Sequence, residues 1–542
     1  MGPWRRTLQA CGAHPGRTAL AGAVLAAGLV LVLADALLAG PLRRWTEREM
    51  NASLIGYTVR IGRFRPHLWR LAFAMDDLVL VQDRHPDPPV ADFGSIRFAL
   101  LWRDLLRFKL AGNLTLVRPA LHIDLTQIQE EARSRVRLRD RGWQRAVETV
   151  IPIERLDRVQ VQDGSLLYVS SRFARKPLQF TGISMLARNV HNIAVARGVY
   201  PSPVTLDGVL FDTGKVQFTG AADFLRVPYT AVRGELRLDR IPLDRLGPLG
   251  QDYQMTTTGG FLSLHGSLEA TPEAKMAHLA EVLLQDLRLD YTTSEATRSL
   301  EAEHAQQAME LTRSVRNAPR LVLQVDTLRV TGGQLGFVNA ATQPPYRLFV
   351  SGMDLELENL SNQAAIGRSR FQGRGAFMGS GAMAVSGGFL STARTADFAV
   401  QLQLDHADLV RLNPFLLAYT KVDVAAGQLS LYTEMTVKDG RVDGYVKPLF
   451  KDLRISDPVK DRAKPFGKRV EMHVLQFLAG RLKNRTSGEV ATVTTVSGST
   501  LHPRAGEWEA IRKLIGNGLV HAILPGFLVE PPGKGAKLPV KR

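Results

Sequence analysis

The side chains best suited to chemistry in this chain stand apart from one another. Of its twelve histidines, none falls into an H-E-x-x-H spacing, the pattern that puts two imidazoles on one helix face to hold zinc. His191, His265 and His406 sit singly among strand and turn residues, as surface or hydrogen-bonded histidines do. No G-x-S-x-G elbow presents a serine nucleophile, and no G-x-x-x-x-G-K-[ST] loop is present to cradle a phosphate. Gly373-Arg374-Gly375, with Gly379 and Gly381, is glycine-rich, but it falls where a turn between strands is expected. The paired acids Asp76-Asp77, and Asp354, Glu356 and Glu358, would be candidates for acid–base work. Their alternation with apolar neighbours places them on the solvent face of strands instead. Neither catalysis nor a cofactor is expected. Cys11, the single cysteine, precedes the apolar segment, so it forms no disulfide framework and is not a lipoprotein acceptor.

The elements around these residues repeat. Asp163-Gly164-Ser165-Leu166 answers to Gly332-Gly333-Gln334-Leu335, and Thr181-Gly182-Ile183 to Ser351-Gly352-Met353. Gly214 to Gly220 (GKVQFTG) answers to Gly381 to Gly387 (GAMAVSG), and Leu238 to Leu249 answers to Leu404 to Phe415. Gly260 to Leu264 answers to Gly427 to Leu431. Five matches in the same order predict a duplicated β unit, and a duplication usually goes with an elongated body rather than a compact enzyme.

The 542 residues are 45% apolar, enough to bury a core, and carry a net charge of +17. That balance suits an anionic partner such as nucleic acid or the headgroups of phospholipid or lipopolysaccharide, and equally a solvated basic surface. The basic residues are scattered along strands with no interleaved aromatic stripe, which disfavours nucleic acid.

Thr18 to Gly40 holds 23 residues with one charge, Asp35. As a helix it would span roughly 34 Å, enough for a hydrocarbon core of about 30 Å. Trp4 and Trp45 flank it as interfacial aromatics would, and its short basic N-terminus favours staying in the cytoplasm. Ala34-Asp35-Ala36 has the small-x-small form of a signal-peptidase site, so a cleaved leader competes with a retained anchor.

The expected order is a cytoplasmic N-terminus (1–17), a transmembrane anchor (18–40), an N-terminal β unit (41–125) and a helical linker (126–150). The first β repeat (151–290), an inserted helix (291–319) and the second β repeat (320–456) follow. A C-terminal strand with the amphipathic helix Trp508 to Leu524 (457–530) and a basic tail (531–542) complete it. Within the repeats, Val232, Gly234, Leu236 and Leu238 oppose Arg233, Glu235 and Arg237. Phe398, Val400, Leu402 and Leu404 oppose Ala399, Gln401 and Gln403. A half-buried sheet follows, whose apolar side could face a second sheet, a helix or a ligand.

Asn51 to Tyr57 (NASLIGY) directly after a single anchor resembles the opening of the AsmA-like bacterial envelope proteins, in the branch named only as a domain of unknown function. Trp102-Arg103-Asp104-Leu105-Leu106 followed by Val117-Arg118-Pro119-Ala120-Leu121 is similar to the Trp-x-x-Leu-Leu helix and Arg-Pro strand of their N-termini. Asn413-Pro414-Phe415 to Tyr419, Gly427-Gln428-Leu429, Asp439 to Gly444 and Val446-Lys447-Pro448-Leu449 resemble their C-terminal core. In order, these motifs cover about residues 18 to 525. The resemblance implies a mainly β protein with some helix: an inner-membrane anchor, then a periplasmic, elongated, curved antiparallel β-groove with an apolar concave face. It implies phospholipid movement and outer-membrane integrity as the function, with the inner membrane, phospholipid acyl chains and other envelope proteins as partners.

The candidate lipid-contacting residues are Val232, Leu236, Leu238, Phe398, Val400, Leu402, Leu404, Leu429 and Leu431. An open trough would let them shield acyl chains, whereas inward faces that meet each other would make them an ordinary dry core. In the latter case the protein would be a scaffold or assembly factor that binds envelope proteins through its edges.

Overall fold

A computed structural model describes residues 15–106, 111–124, 127, 155–169, 178–191, 198–224, 230–246, 254–295, 314–391, 395, 397–420, 423–454, 489–491 and 494–499. For 15–33 only the backbone is described. The chain is mainly β. It divides into two compact units, one of Met1–Arg237 with Glu269–Pro272 and one of Leu238–Leu268 with Glu273–Arg542.

The first unit opens with a 39-residue helix, α1 (Pro15–Ser53). It does not stop at Gly40, the expected end of the apolar segment. From Asp35 onward it lies along strand β1 (Tyr57–His67). The Asp35 carboxylate accepts a hydrogen bond from the Leu68 N–H at 3.1 Å, and the Arg43 guanidinium donates to the Ile61 carbonyl at 3.0 Å. The Asn51 side chain takes both backbone groups of Val59, at 2.7 and 2.9 Å. Val59 and Ile61 thus spend on α1 the polar groups that an edge strand would otherwise present to another chain. Leu42 and Met50 of α1 pack against a core of Tyr57, Val59, Ile61, Phe64, Met75, Leu78 and Leu80. Among the described residues no helix is long and apolar enough to cross a membrane. The expected anchor at 18–40 lies largely outside the side chains described, which begin at Ala34.

Strands β2 (Ala72–Gln82), β3 (Ala91–Leu100) and β4 (Ala111–Asp124) continue from β1 as an antiparallel meander. A four-residue helix, α2 (Trp102–Leu105), lies between β3 and β4. β5 (Arg155–Val169), β6 (Leu178–His191), β7 (Ser202–Leu210) and β8 (Gly214–Asp223) follow, each antiparallel to the one before from β6 on. The second unit contains most of β10 (Met255–Ala270) and all of β11 (Lys275–Thr293), β12 (Leu321–Asn339), β13 (Tyr346–Ser361), β14 (Ser369–Phe377), β15 (Gly381–Phe389) and β16 (Phe398–Asp408). It ends with β17 (Ala426–Lys438), β18 (Arg441–Arg454), β19 (Glu489–Ala491) and β20 (Thr494–Ser499), the last two both pairing with β18. β9 (Ala231–Pro242) contributes residues to each unit.

The duplication is present strand for strand. With β9 included, β5 to β11 and β12 to β18 are two sets of seven. β5 carries register shifts around Gly164 and β12 around Gly333; β6 is shifted after Thr181 and β13 after Ser351. Gly182 and Gly352 take φ of 58° and 55°, where a Cβ would be strained, so both bulges are set by glycine. Single hydrogen bonds recur as well. Ser202 donates to the Asn189 carbonyl at 3.1 Å, as Ser369 does to that of Asn359 at 3.0 Å. The Arg240 N–H donates to Ser263 at 3.0 Å, as the His406 N–H does to Ser430 at 3.1 Å.

One expectation needs correction. The strands are not antiparallel throughout, because β4 pairs with β5 and β11 with β12 in parallel. Each parallel joint opens one of the two repeats. The residues between Asp124 and Arg155, and between Thr293 and Leu321, are long enough to carry the chain back to the end where the previous strand began, as a parallel neighbour requires. Those connections are where helices were expected; 128–150 and 296–313 lie outside the described residues, as do the amphipathic segment at 508–524 and the tail.

Candidate functional site: a half-buried apolar strand face

Alternation puts one side of the repeat strands in water and leaves the other apolar and incompletely covered. In the first unit, Val232 and Leu236 of β9 are half-buried while Arg233, Glu235 and Arg237 between them are exposed. On β8, Val216 and Phe218 are half-buried between exposed Lys215, Gln217 and Thr219. Among the described residues between β5 and β9, Ala187, Val204 and Ala222 form one small buried cluster, with Val159, Met185, Val190 and Phe218 packed against it.

Glycines keep this face shallow. A Cβ on Gly220 would sit 2.2 Å from the Arg233 carbonyl, 2.6 Å from the Gly234 Cα and 2.8 Å from the Phe218 ring. A Cβ on Gly234 would meet the same ring at 2.7 Å. Phe180 covers Gly208, and Phe98 covers Gly112, each at 2.5 Å from the would-be Cβ. The second unit uses the same device, with Phe371 over its cross-strand partner Gly387. Aromatic rings therefore lie over glycines of the same sheet and give it a smooth apolar floor.

The second unit holds the remaining candidates, and they separate into two groups. Leu238, Phe398, Val400 and Leu402 are half-buried, the last three packed against the edge of the core that encloses the second group. Leu404, Leu429 and Leu431 are buried in a closed core with Ala407, Leu409, Leu412, Leu416, Val437 and Phe450. The cover is a 3-10 turn (Leu409–Leu412) and helix α3 (Asn413–Thr420), held down by two 2.9 Å bonds from the Asn413 side chain to the backbone of Val424. At these three positions the apolar face is occupied by the protein itself. Val385, which pairs with Leu402, Met383, which pairs with Leu404, and Phe371 belong to the same face of this unit, and Val216 and Phe218 hold the corresponding places in the first. The signal for Val216, Phe218, Met383 and Val385 is the alternation inside GKVQFTG and GAMAVSG, the same segments that mark the repeat.

No family model matches the chain, and no curated protein matches it in sequence.

The outward acids are held in ion pairs. Asp354 meets Arg374 at 3.1 Å, and Arg329 bridges Glu281 and Glu356 at 3.1 Å each. The Gly332 N–H and Arg374 lower the Asp354 carboxyl below its ordinary range; Gln372 and Arg329 do the same for Glu356. Asp76 lies 2.7 Å from Arg65; burial alone would raise it, but the Arg65 guanidinium outweighs that and lowers it. Glu269 shows the same balance. Burial raises it, and the hydrogen bonds from Tyr200 at 2.5 Å and Arg233 at 2.8 Å bring it below its usual value. At the end of β13, Tyr346 shares a 3.0 Å bond with Tyr419 of α3; burial and that bond push its phenol up to about 12. Among the described residues, no three His, Cys, Asp or Glu side chains converge as a metal site. His406 is in the left-handed region at φ 55°, a backbone position in the repeat, and its side chain is exposed.

Proposed function

We propose that this chain handles phospholipid acyl chains on the half-buried face of its repeat strands, as an inner-membrane-anchored periplasmic protein of the AsmA-like type that supports outer-membrane integrity. The observation that carries the reading is the exposure of large apolar side chains on one strand face: Val216, Phe218, Val232 and Leu236 in one unit, Phe371, Val385, Val400 and Leu402 in the other. Such a face gains about 0.8 kcal/mol for each methylene it removes from water, so a dozen methylenes gain on the order of 10 kcal/mol. The finer architecture we infer is an elongated, curved groove with headgroups at a basic rim. The anchor in this reading leaves the bilayer at Asp35 and not at Gly40, because the Asp35 carboxylate is already bound to Leu68.

The second reading is an envelope scaffold that binds no lipid, and the closed core around Leu404, Leu429 and Leu431 favours it locally. Mass spectrometry of the full chain purified in mild detergent separates the two. Stoichiometric phospholipid retained through washing supports lipid handling, and its absence favours the scaffold.

A further inference from the structure

We propose that the end of the sheet beside Asp35 is a foot that rests in the headgroup region of the bilayer, a second membrane contact in addition to the anchor. It rests on the reading of the apolar run before Asp35 as membrane-embedded, but on residues outside that run.

Two connections and the helix α1 meet at this end. The turn Leu68–Arg70 joins β1 to β2, and its first N–H is bound to Asp35 of α1. The Leu100 N–H bonds to the Leu71 carbonyl, so the exit from β3 into α2 lies beside that turn. Each connection exposes large apolar side chains: Trp69 at 54%, Trp102 at 52% and Leu106 at 78%, with Leu37 of α1 at 75%. The Arg70 guanidinium stacks 4.2 Å over the Trp69 ring, and Arg103 follows Trp102.

Two features choose a lipid surface as the occupant. The patch begins within two residues of Asp35, where the long apolar run of α1 meets the folded body, so a bilayer holding that run necessarily lies next to it. Its composition is also amphipathic: tryptophan with leucine and arginine suits the boundary between acyl chains and anionic headgroups, where indole N–H and guanidinium find phosphate and water. The foot would fix the tilt of the body on the membrane, which a single helix leaves free.

The test uses the full chain, with Cys11→Ser, in vesicles of phosphatidylethanolamine and phosphatidylglycerol. A nitroxide is attached to Trp69→Cys, Leu106→Cys, Ile55→Cys or Leu25→Cys in turn. Ile55 is an exposed apolar control at the far end of β1, roughly 35–45 Å from the turn at ~3.3 Å per residue. Collisions with oxygen should dominate at 69 and 106, corresponding to a depth of roughly 5–10 Å into the headgroup and acyl boundary. The water-soluble nickel chelate should dominate at 55. Dominance of the chelate at 69 and 106, or exclusion of both reagents as under a protein partner, overturns the foot. The probe at 25 reports the anchor separately. Lipid contact at 25 without contact at 69 and 106 retains the anchor and rejects the foot, and the reverse rejects the anchor and retains the foot.

Discussion

Leu402 and Leu404 lie two residues apart on the same face of β16, yet the same substitution should affect them very differently. Leu404 is 4% exposed, pairs with Met383 and Leu431, and lies in the core closed by α3. A carboxylate introduced there has no water to reach and no cation beside it. Burial of that kind raises a carboxyl by as much as 3–5 pH units, which at neutral pH costs about 3.5 kcal/mol because the group then protonates, and losing a buried leucine adds about 2 kcal/mol. The sum is comparable with the whole stability of a domain, about 5–15 kcal/mol. Leu402 is half-buried and faces Val385 and Thr433. From there a glutamate can extend to solvent, and the loss is about half a leucine's burial, roughly 1 kcal/mol. Scanning calorimetry of the full chain in detergent should show Leu402→Glu melting a few degrees below wild type. Leu404→Glu should lose the transition of this unit or shift it far down. Equal collapse of both variants would mean that the face at Leu402 is closed, and the reasoning from exposure would fail.

Gly220→Val should destabilise the first unit by about 1–3 kcal/mol, since the new Cβ lies 2.2 Å from the Arg233 carbonyl and displaces the Phe218 ring; chemical denaturation checks this. Glu269 has a lowered pKa, so the stability it contributes is present above about pH 4.5 and is lost as pH falls through its depressed native value. Glu269→Gln should therefore melt below wild type at pH 7 and converge with it in acid, as melting curves across pH 2.5–7 would show, with ~4.5 as the point above which the difference is full.

Much of the fold was legible because the side-chain period of a strand is two and the glycine turns sit in register. The matches at Asp163/Gly332 and Thr181/Ser351 fall on the bulges that distinguish β5 and β6 from their counterparts' neighbours. The parallel joints were not legible. Strand sequences do not encode the direction of a neighbour, and only the length of the connections at 125–154 and 294–320 hinted at it. The site was legible as a face but not in its cover. Alternation marks Leu402 and Leu404 as equivalent, while Leu404 is fully enclosed in the core that α3 helps to close and Leu402 packs half-buried at its margin. Asn413-Pro414-Phe415 was read as a family motif, and its role as the start of that cover depends on the Asn413 bonds to Val424, a tertiary contact. The residues after Gly40 are basic and helix-prone in sequence, but that α1 lies along β1 depends on Arg43 and Asn51 reaching the strand's backbone, a tertiary contact.

The central claim, that acyl chains lie on the half-buried face, is tested most directly by placing a photoreactive phenylalanine at single positions in living cells and identifying what it captures. Leu236 and Leu402 are half-buried on the apolar sides of their own strands, Leu404 lies in the closed core, and Arg237 is exposed on the other side of its strand. The account predicts phospholipid adducts at 236 and 402 and none at 404 or 237. Folded protein with no lipid adduct at 236 and 402, or with adducts only to other proteins there, would contradict it.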